Sequence, residues 1–197
     1  MPICRDRKIA FIHIPKTGGT SIEELLDLKG KENFYSHDSH AYCFDNVYYA
    51  PQHLTPTLLD KLVEEFSSYT TFCFTRHPYQ KLISEYSWIQ GKNNNREFHE
   101  ESFQQWLVTN VSKKDTDHKL DQYLYTQGCE HIFKHQDLNN SIEQIEKICG
   151  IKITGKLKHS NRSSKNTEQI ASRLSLESKE IIGKLYSHDF NLLEYDP

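Results

Sequence analysis

The chain has 197 residues, 36% of them hydrophobic and 26% charged, which fits one globular domain with enough apolar content to bury a core and argues against long disorder. Its formal net charge of -3 excludes the broad basic field behind non-specific nucleic-acid or membrane binding, so any anion site must be local and no nucleic-acid partner is expected. Five scattered cysteines without a Cys-x-x-Cys pair fit neither a disulfide framework nor a zinc ribbon and point to reduced thiols.

Met1 to Lys8 lacks a secretory hydrophobic region, and no stretch reaches the length of a transmembrane segment, so the expectation is a cytoplasmic protein. The continuous apolar run Ile9-Ala10-Phe11-Ile12 predicts a strand covered on both faces of a parallel sheet. A glycine turn follows, and Ile22, Leu25 and Leu26 then recur at helical spacing. Asn46 to Ala50 predicts a second strand, and Thr55-Pro56 caps a helix carrying Leu58, Leu59, Leu62, Val63 and Phe66. Thr70 to Thr75 predicts a third strand, with Pro78 opening a helix through Leu82, Ile83, Tyr86 and Ile89.

Gly91 to Glu101 is polar and asparagine-rich and predicts an exposed loop. Beyond it come a helix around Ser102 to Thr109, a polar stretch from Ser112 to His118, and a short strand near His131 to Lys134. Leu138, Ile142, Ile145 and Cys149 lie on one helix face, ended by Gly150, and a last helix carries Ile181, Ile182, Leu185 and Tyr186. The alternation predicts a single α/β domain over residues 1–197: a P-loop-like three-layer sandwich, its central, mainly parallel sheet flanked by helices, with ligands gathering at the carboxyl ends of the strands.

The loop Pro15-Lys16-Thr17-Gly18-Gly19-Thr20-Ser21 joins the first strand to a helix. Such a turn offers unpaired backbone N–H groups at the positive end of a helix dipole, and glycines let the backbone close around an anion. Thr17, Thr20 and Ser21 add hydroxyls and Lys16 a mobile charge. It is not a Walker A loop, whose lysine follows the last glycine, nor a dinucleotide fingerprint, which needs three spaced glycines.

The string Phe11-Ile12-His13-Ile14-Pro15-Lys16-Thr17-Gly18-Gly19-Thr20-Ser21 resembles the phosphosulfate-binding motif of the carbohydrate-type sulfotransferases, in the branch with the heparan sulfate 2-O-sulfotransferases and small bacterial relatives. A second string, Phe74-Thr75-Arg76-His77-Pro78-Tyr79-Gln80-Lys81-Leu82-Ile83-Ser84-Glu85-Tyr86, resembles the family's 3′-phosphate motif. The resemblance implies transfer from 3′-phosphoadenosine 5′-phosphosulfate (PAPS) to a sugar or other alcohol, with Arg76 and Ser84 on the 3′-phosphate and Lys16, Thr17, Gly18, Gly19, Thr20 and Ser21 on the phosphosulfate. Lys81 stands where many relatives carry arginine, and its contact is left open.

Transfer needs a base for the acceptor hydroxyl and a cation where the leaving oxygen gains charge. Lys16 suits the second role. His53, between a predicted strand and helix as in the small bacterial relatives, suits the first, with His37 and His40 as competitors. The resemblance also implies that a late loop covers the nucleotide or meets the acceptor, which makes Ser160 and Arg162 candidates within the basic run from Lys156 to Lys165. No metal is expected: His37 with His40, and His131 with His135, lack further ligands nearby. The alternatives are a P-loop-type small-molecule kinase or nucleoside triphosphatase, and a catalytically silent nucleotide- or glycan-binding module. Residues selecting the acceptor would fall between Ser36 and Phe44, Gly91 and Glu101, and Ser112 and His118.

Overall fold

The computed structural model describes residues 3–26, 42–92, 97–153 and 167–197. Its strands are β1 (Ile3–Cys4), β2 (Ile9–Ile12), β3 (Tyr42–Phe44), β4 (Val47–Tyr49), β5 (Thr70–Thr75) and β6 (His131–Lys134). The helices are α1 (Gly19–Leu25), α2 (Pro56–Leu62), α3 (Pro78–Lys92), α4 (Glu100–Thr109), α5 (Tyr123–Thr126), α6 (Ile142–Cys149), α7 (Thr167–Ser172), α8 (Leu176–Leu185) and α9 (Ser187–Leu192).

The main sheet runs in the order β1-β2-β5-β6, with β1 antiparallel to β2 and the other pairs parallel. Register places Phe11 opposite Phe72 and Ile12 opposite Cys73, and Phe74 opposite Phe133 on the next strand. Because side chains alternate across a strand, the two faces meet different partners. Phe11, Phe72, Phe74 and Phe133 pack with Ile22, Leu26, Ile145 and Cys149 from the α1 and α6 side. Ala10, Ile12 and Cys73 pack on the opposite face with Leu58, Leu59 and Tyr125. Each fully buried Phe contributes on the order of 1.5–3 kcal/mol, so this double coverage explains the unbroken apolar run of β2. A further core joins α3, α4, α8 and α9 through Tyr79, Leu82, Phe103, Ile182 and Phe190.

The central, mainly parallel sheet between helices matches the expected class, but the second predicted strand is a correction. Residues 46–50 do not join the main sheet; β3 and β4 form a separate antiparallel hairpin. Its turn residues Asp45 and Asn46 both have positive φ, 50° and 63°, the primed-turn geometry that Asp and Asn tolerate and that closes a two-residue hairpin. Thr55 caps α2 as expected, its hydroxyl accepting from Leu58 N–H, with Pro56 in the first turn. Helix α6 starts at Ile142 rather than Leu138, which falls just after a 3-10 turn over His135–Asp137 and still packs against the sheet. Helices α7 and α9 lay outside the periodicity argument; each is only six residues long, too short for the pattern to register. Among the described residues, no helix is long and apolar enough to cross a membrane.

Candidate active site

Strands β2, β5 and β6 run in parallel, and the segments leaving all three line one cavity of about 450 Å³. Lys16 and Gly18–Ser21 come from the segment after β2, Arg76 and Ser84 from the one after β5, and His135 from the one after β6. The cavity thus sits at the carboxyl ends of the strands, where a sheet of this kind gathers its ligands.

The glycine loop is shaped by backbone conformations that side chains usually resist. Gly18 has φ 87°, and a Cβ there would come within 3.0 Å of His135 Cδ2. At Gly19 the reason is space: a Cβ would lie 2.2 Å from His13 Cδ2, so the imidazole needs a residue without a side chain. Lys16 is itself left-handed at φ 68°, a conformation that costs a non-glycine residue about 1 kcal/mol and must be held by its neighbours. One such hold is Arg76 Nη1, which donates to the Lys16 carbonyl at 3.2 Å. The Lys16 ammonium lies 5.2 Å from the centroid of the Trp88 ring on α3.

Thr17 departs from its expected role. Its side chain is fully buried and donates to the Ile14 carbonyl at 2.9 Å, so the hydroxyl braces the loop and is not part of the cavity lining. Thr20 and Ser21 do line the cavity.

Arg76 follows β5 and is 5% exposed. Besides Lys16, its guanidinium donates to Thr167 Oγ1 at 2.7 Å and Gln80 Oε1 at 3.4 Å, all neutral oxygens. Its backbone is pinned by Gln122, whose Oε1 accepts from Arg76 N–H and whose Nε2 donates to the Arg76 carbonyl. Burial lowers its pKa to about 10, which leaves it charged at neutral pH. No carboxylate among the described residues pairs with it. Ser84, two turns along α3, lines the same cavity. Lys81 does not: it is 1% exposed and donates to the carbonyls of His118 and Leu120, fastening the segment opposite.

That segment supplies what sequence reasoning missed. His53, 3% exposed in the 3-10 turn Pro51–His53, has its Nδ1 2.9 Å from Asp117 Oδ2. Asp117 also accepts from Ala50 N–H and His118 N–H. Burial alone would raise the Asp117 carboxyl, but hydrogen bonds from His53 and Ala50 and the nearby imidazoles hold it below the usual carboxylate range. An ionised Asp117 makes His53 Nδ1 the donor and leaves the lone pair on Nε2. Burial, opposed by Asp117, pushes the His53 pKa down to about 3, so the ring is neutral.

Two more imidazoles flank His53 with ring centroids 4.9 Å away, and each has its own carboxylate. His13 Nδ1 meets Glu23 at 2.6 Å, and His118 Nδ1 meets Glu85 at 2.7 Å. His118 also stacks on Trp88, centroids 5.6 Å apart. The adjacent pair Asp117-His118 was the available signal, but it sits in a polar stretch that reads as exposed loop. Of the remaining candidates, Ser160, Arg162, His37 and His40 lie outside the described residues.

The cavity therefore combines a lysine and a buried arginine with a neutral, carboxylate-backed histidine, an arrangement able to bind a multiply charged anion and take a proton beside it. No curated protein and no solved structure matches the chain. The profile of the sulfotransferase family matches residues 1–196, essentially the whole sequence, and the chain belongs to that family.

Proposed function

We propose that the protein transfers a sulfuryl group from PAPS to a hydroxyl of a carbohydrate acceptor. The observation that carries this reading is Arg76: a charged guanidinium buried among neutral acceptors at the edge of the cavity. Burying a cation without an opposite charge costs several kcal/mol, and a bound phosphate offsets that cost with charge-assisted hydrogen bonds. Arg76 and Ser84 are assigned to the 3′-phosphate. The glycine loop, with Thr20 and Ser21, takes the phosphosulfate, and Thr17 keeps the loop in shape.

His53 Nε2 accepts the proton of the acceptor hydroxyl as its oxygen attacks sulfur. The bond from sulfur to the bridging oxygen breaks, and the negative charge left on the phosphate is stabilised by Lys16. Asp117 keeps the required tautomer and stabilises the imidazolium that forms. The two negatively charged groups of the donor also raise the His53 pKa toward a useful range once bound. The scheme uses no metal.

The test is incubation with donor labelled in the sulfuryl group and a panel of saccharides. Label in a saccharide product, lost on Lys16→Ala, supports the reading. Magnesium-dependent turnover of nucleoside triphosphates in place of sulfuryl transfer would replace it with a kinase-like activity.

A further inference from the structure

We infer that His53, Asp117 and His118 form a binding site for a borderline divalent metal ion such as Zn²⁺, and that metal bound there inhibits the enzyme. One ligand atom from each of the three residues lies within 4.8 Å of the other two. Two imidazoles and a carboxylate are a donor set that suits zinc, with a fourth position open toward the cavity all three line.

The supports around these ligands are those of a metal site. Glu85 Oε2 holds His118 Nδ1 at 2.7 Å, which fixes that ring and leaves Nε2 as its ligand atom. Trp88 stacks on the same ring. Asp117 is oriented by the backbone N–H groups of Ala50 and His118. Lys81 ties down the carbonyls of His118 and, two residues on, Leu120. His13 is outside the set: it packs against Gly19 and is bonded to Glu23.

Inhibition follows from the part that rests on the proposed role of His53 as base. Metal on Nε2 occupies the lone pair that would take the acceptor's proton. Metal on Nδ1, beside Asp117, obliges the ring proton to sit on Nε2 and turns the base into a donor. Either way the base is lost.

The experiment is titration of the full chain with Co²⁺, a spectroscopic stand-in for Zn²⁺, followed by visible absorption and calorimetry without donor or acceptor. We expect one equivalent bound with nitrogen and oxygen ligation, displaced by Zn²⁺, and at least tenfold weaker in His118→Ala. Far-ultraviolet circular dichroism confirms that this variant is folded, and Glu85→Gln, which keeps the ligand, should weaken binding less. In a transfer assay, Zn²⁺ should lower the wild-type rate reversibly on chelation, with the inhibition constant raised at least tenfold in His118→Ala. No binding, binding unchanged in folded His118→Ala, or only the near-ultraviolet band of cobalt–thiolate ligation would overturn the site. Metal binding in a protein that transfers no sulfuryl group would leave the site standing and sink the functional reading instead.

Discussion

On the donor side of the cavity, Lys16 and Gly18 to Ser21 come from one loop and Arg76 and Ser84 from one strand–helix junction, so each cluster is contiguous in the chain. On the base side, His53 meets Asp117 at a sequence separation of 64, and His118 meets Glu85 at a separation of 33. Local geometry builds the first: a buried strand, glycines and a helix start suffice. The second exists only after the chain segment around residue 117 has docked, fastened by Lys81 and by the Tyr125 hydroxyl donating to the Asp117 carbonyl. Damage to the donor side should therefore strike binding and the leaving group with little change in fold, whereas damage to the base side should couple catalysis to docking.

The largest expected effect is at the base. His53→Gln should lower kcat by about 10²–10⁴-fold while donor affinity stays within a few fold, as measured by steady-state transfer and nucleotide binding. Lys16→Ala should lower kcat by about 10²–10³-fold, the scale of removing one preorganised group from a developing charge. Asp117→Asn sharpens the contrast. Its amide can donate to His53 Nδ1, which leaves the ring with the wrong tautomer, and kcat should fall about 10²-fold or more with native-like secondary structure retained. An unchanged rate would remove Asp117 from the base side.

Gly19→Ala probes the loop itself. The new methyl must displace the His13 ring, and a stability loss of about 1–3 kcal/mol is expected in denaturant unfolding. The smallest effect concerns pH. The His53 pKa is about 3 in the ligand-free fold against 6.5 normally, so the unfolded chain binds the extra proton first. The stability tied to neutral His53 is complete above pH 6.5 and declines as pH falls toward 3. In His53→Gln that contribution to the acid slope should vanish, and in the wild type the His53 ring should stay neutral by NMR from pH 8 to 5.

What the sequence made legible follows the same division. The run Ile9 to Ile12, the glycine pair and Pro78 each announce a local rule, and β2, the loop, β5 and α3 form where those rules place them. The residues that the loop motif brings to the cavity were readable for the same reason, with Thr17 as the exception because its hydroxyl turns inward to Ile14. Asp45-Asn46 carried a readable turn signal, yet pairing of β4 with β3 rather than with β2 is a choice among distant partners that no local rule decides. Asp117 was hidden because a carboxylate in a polar stretch is ordinarily solvated, and Glu85 in α3 and Glu23 in α1 because a helical carboxylate ordinarily faces water. Their burial depends on histidines from elsewhere in the chain.

The most direct test of the donor assignment is equilibrium binding of adenosine 3′,5′-bisphosphate and of adenosine 5′-monophosphate to the wild type and to Arg76→Gln. The buried Arg76 guanidinium predicts that the wild type prefers the bisphosphate by at least tenfold, and that Arg76→Gln loses this preference while binding the monophosphate about equally well. Equal affinity of the wild type for both nucleotides, or a preference that survives in Arg76→Gln, would contradict it.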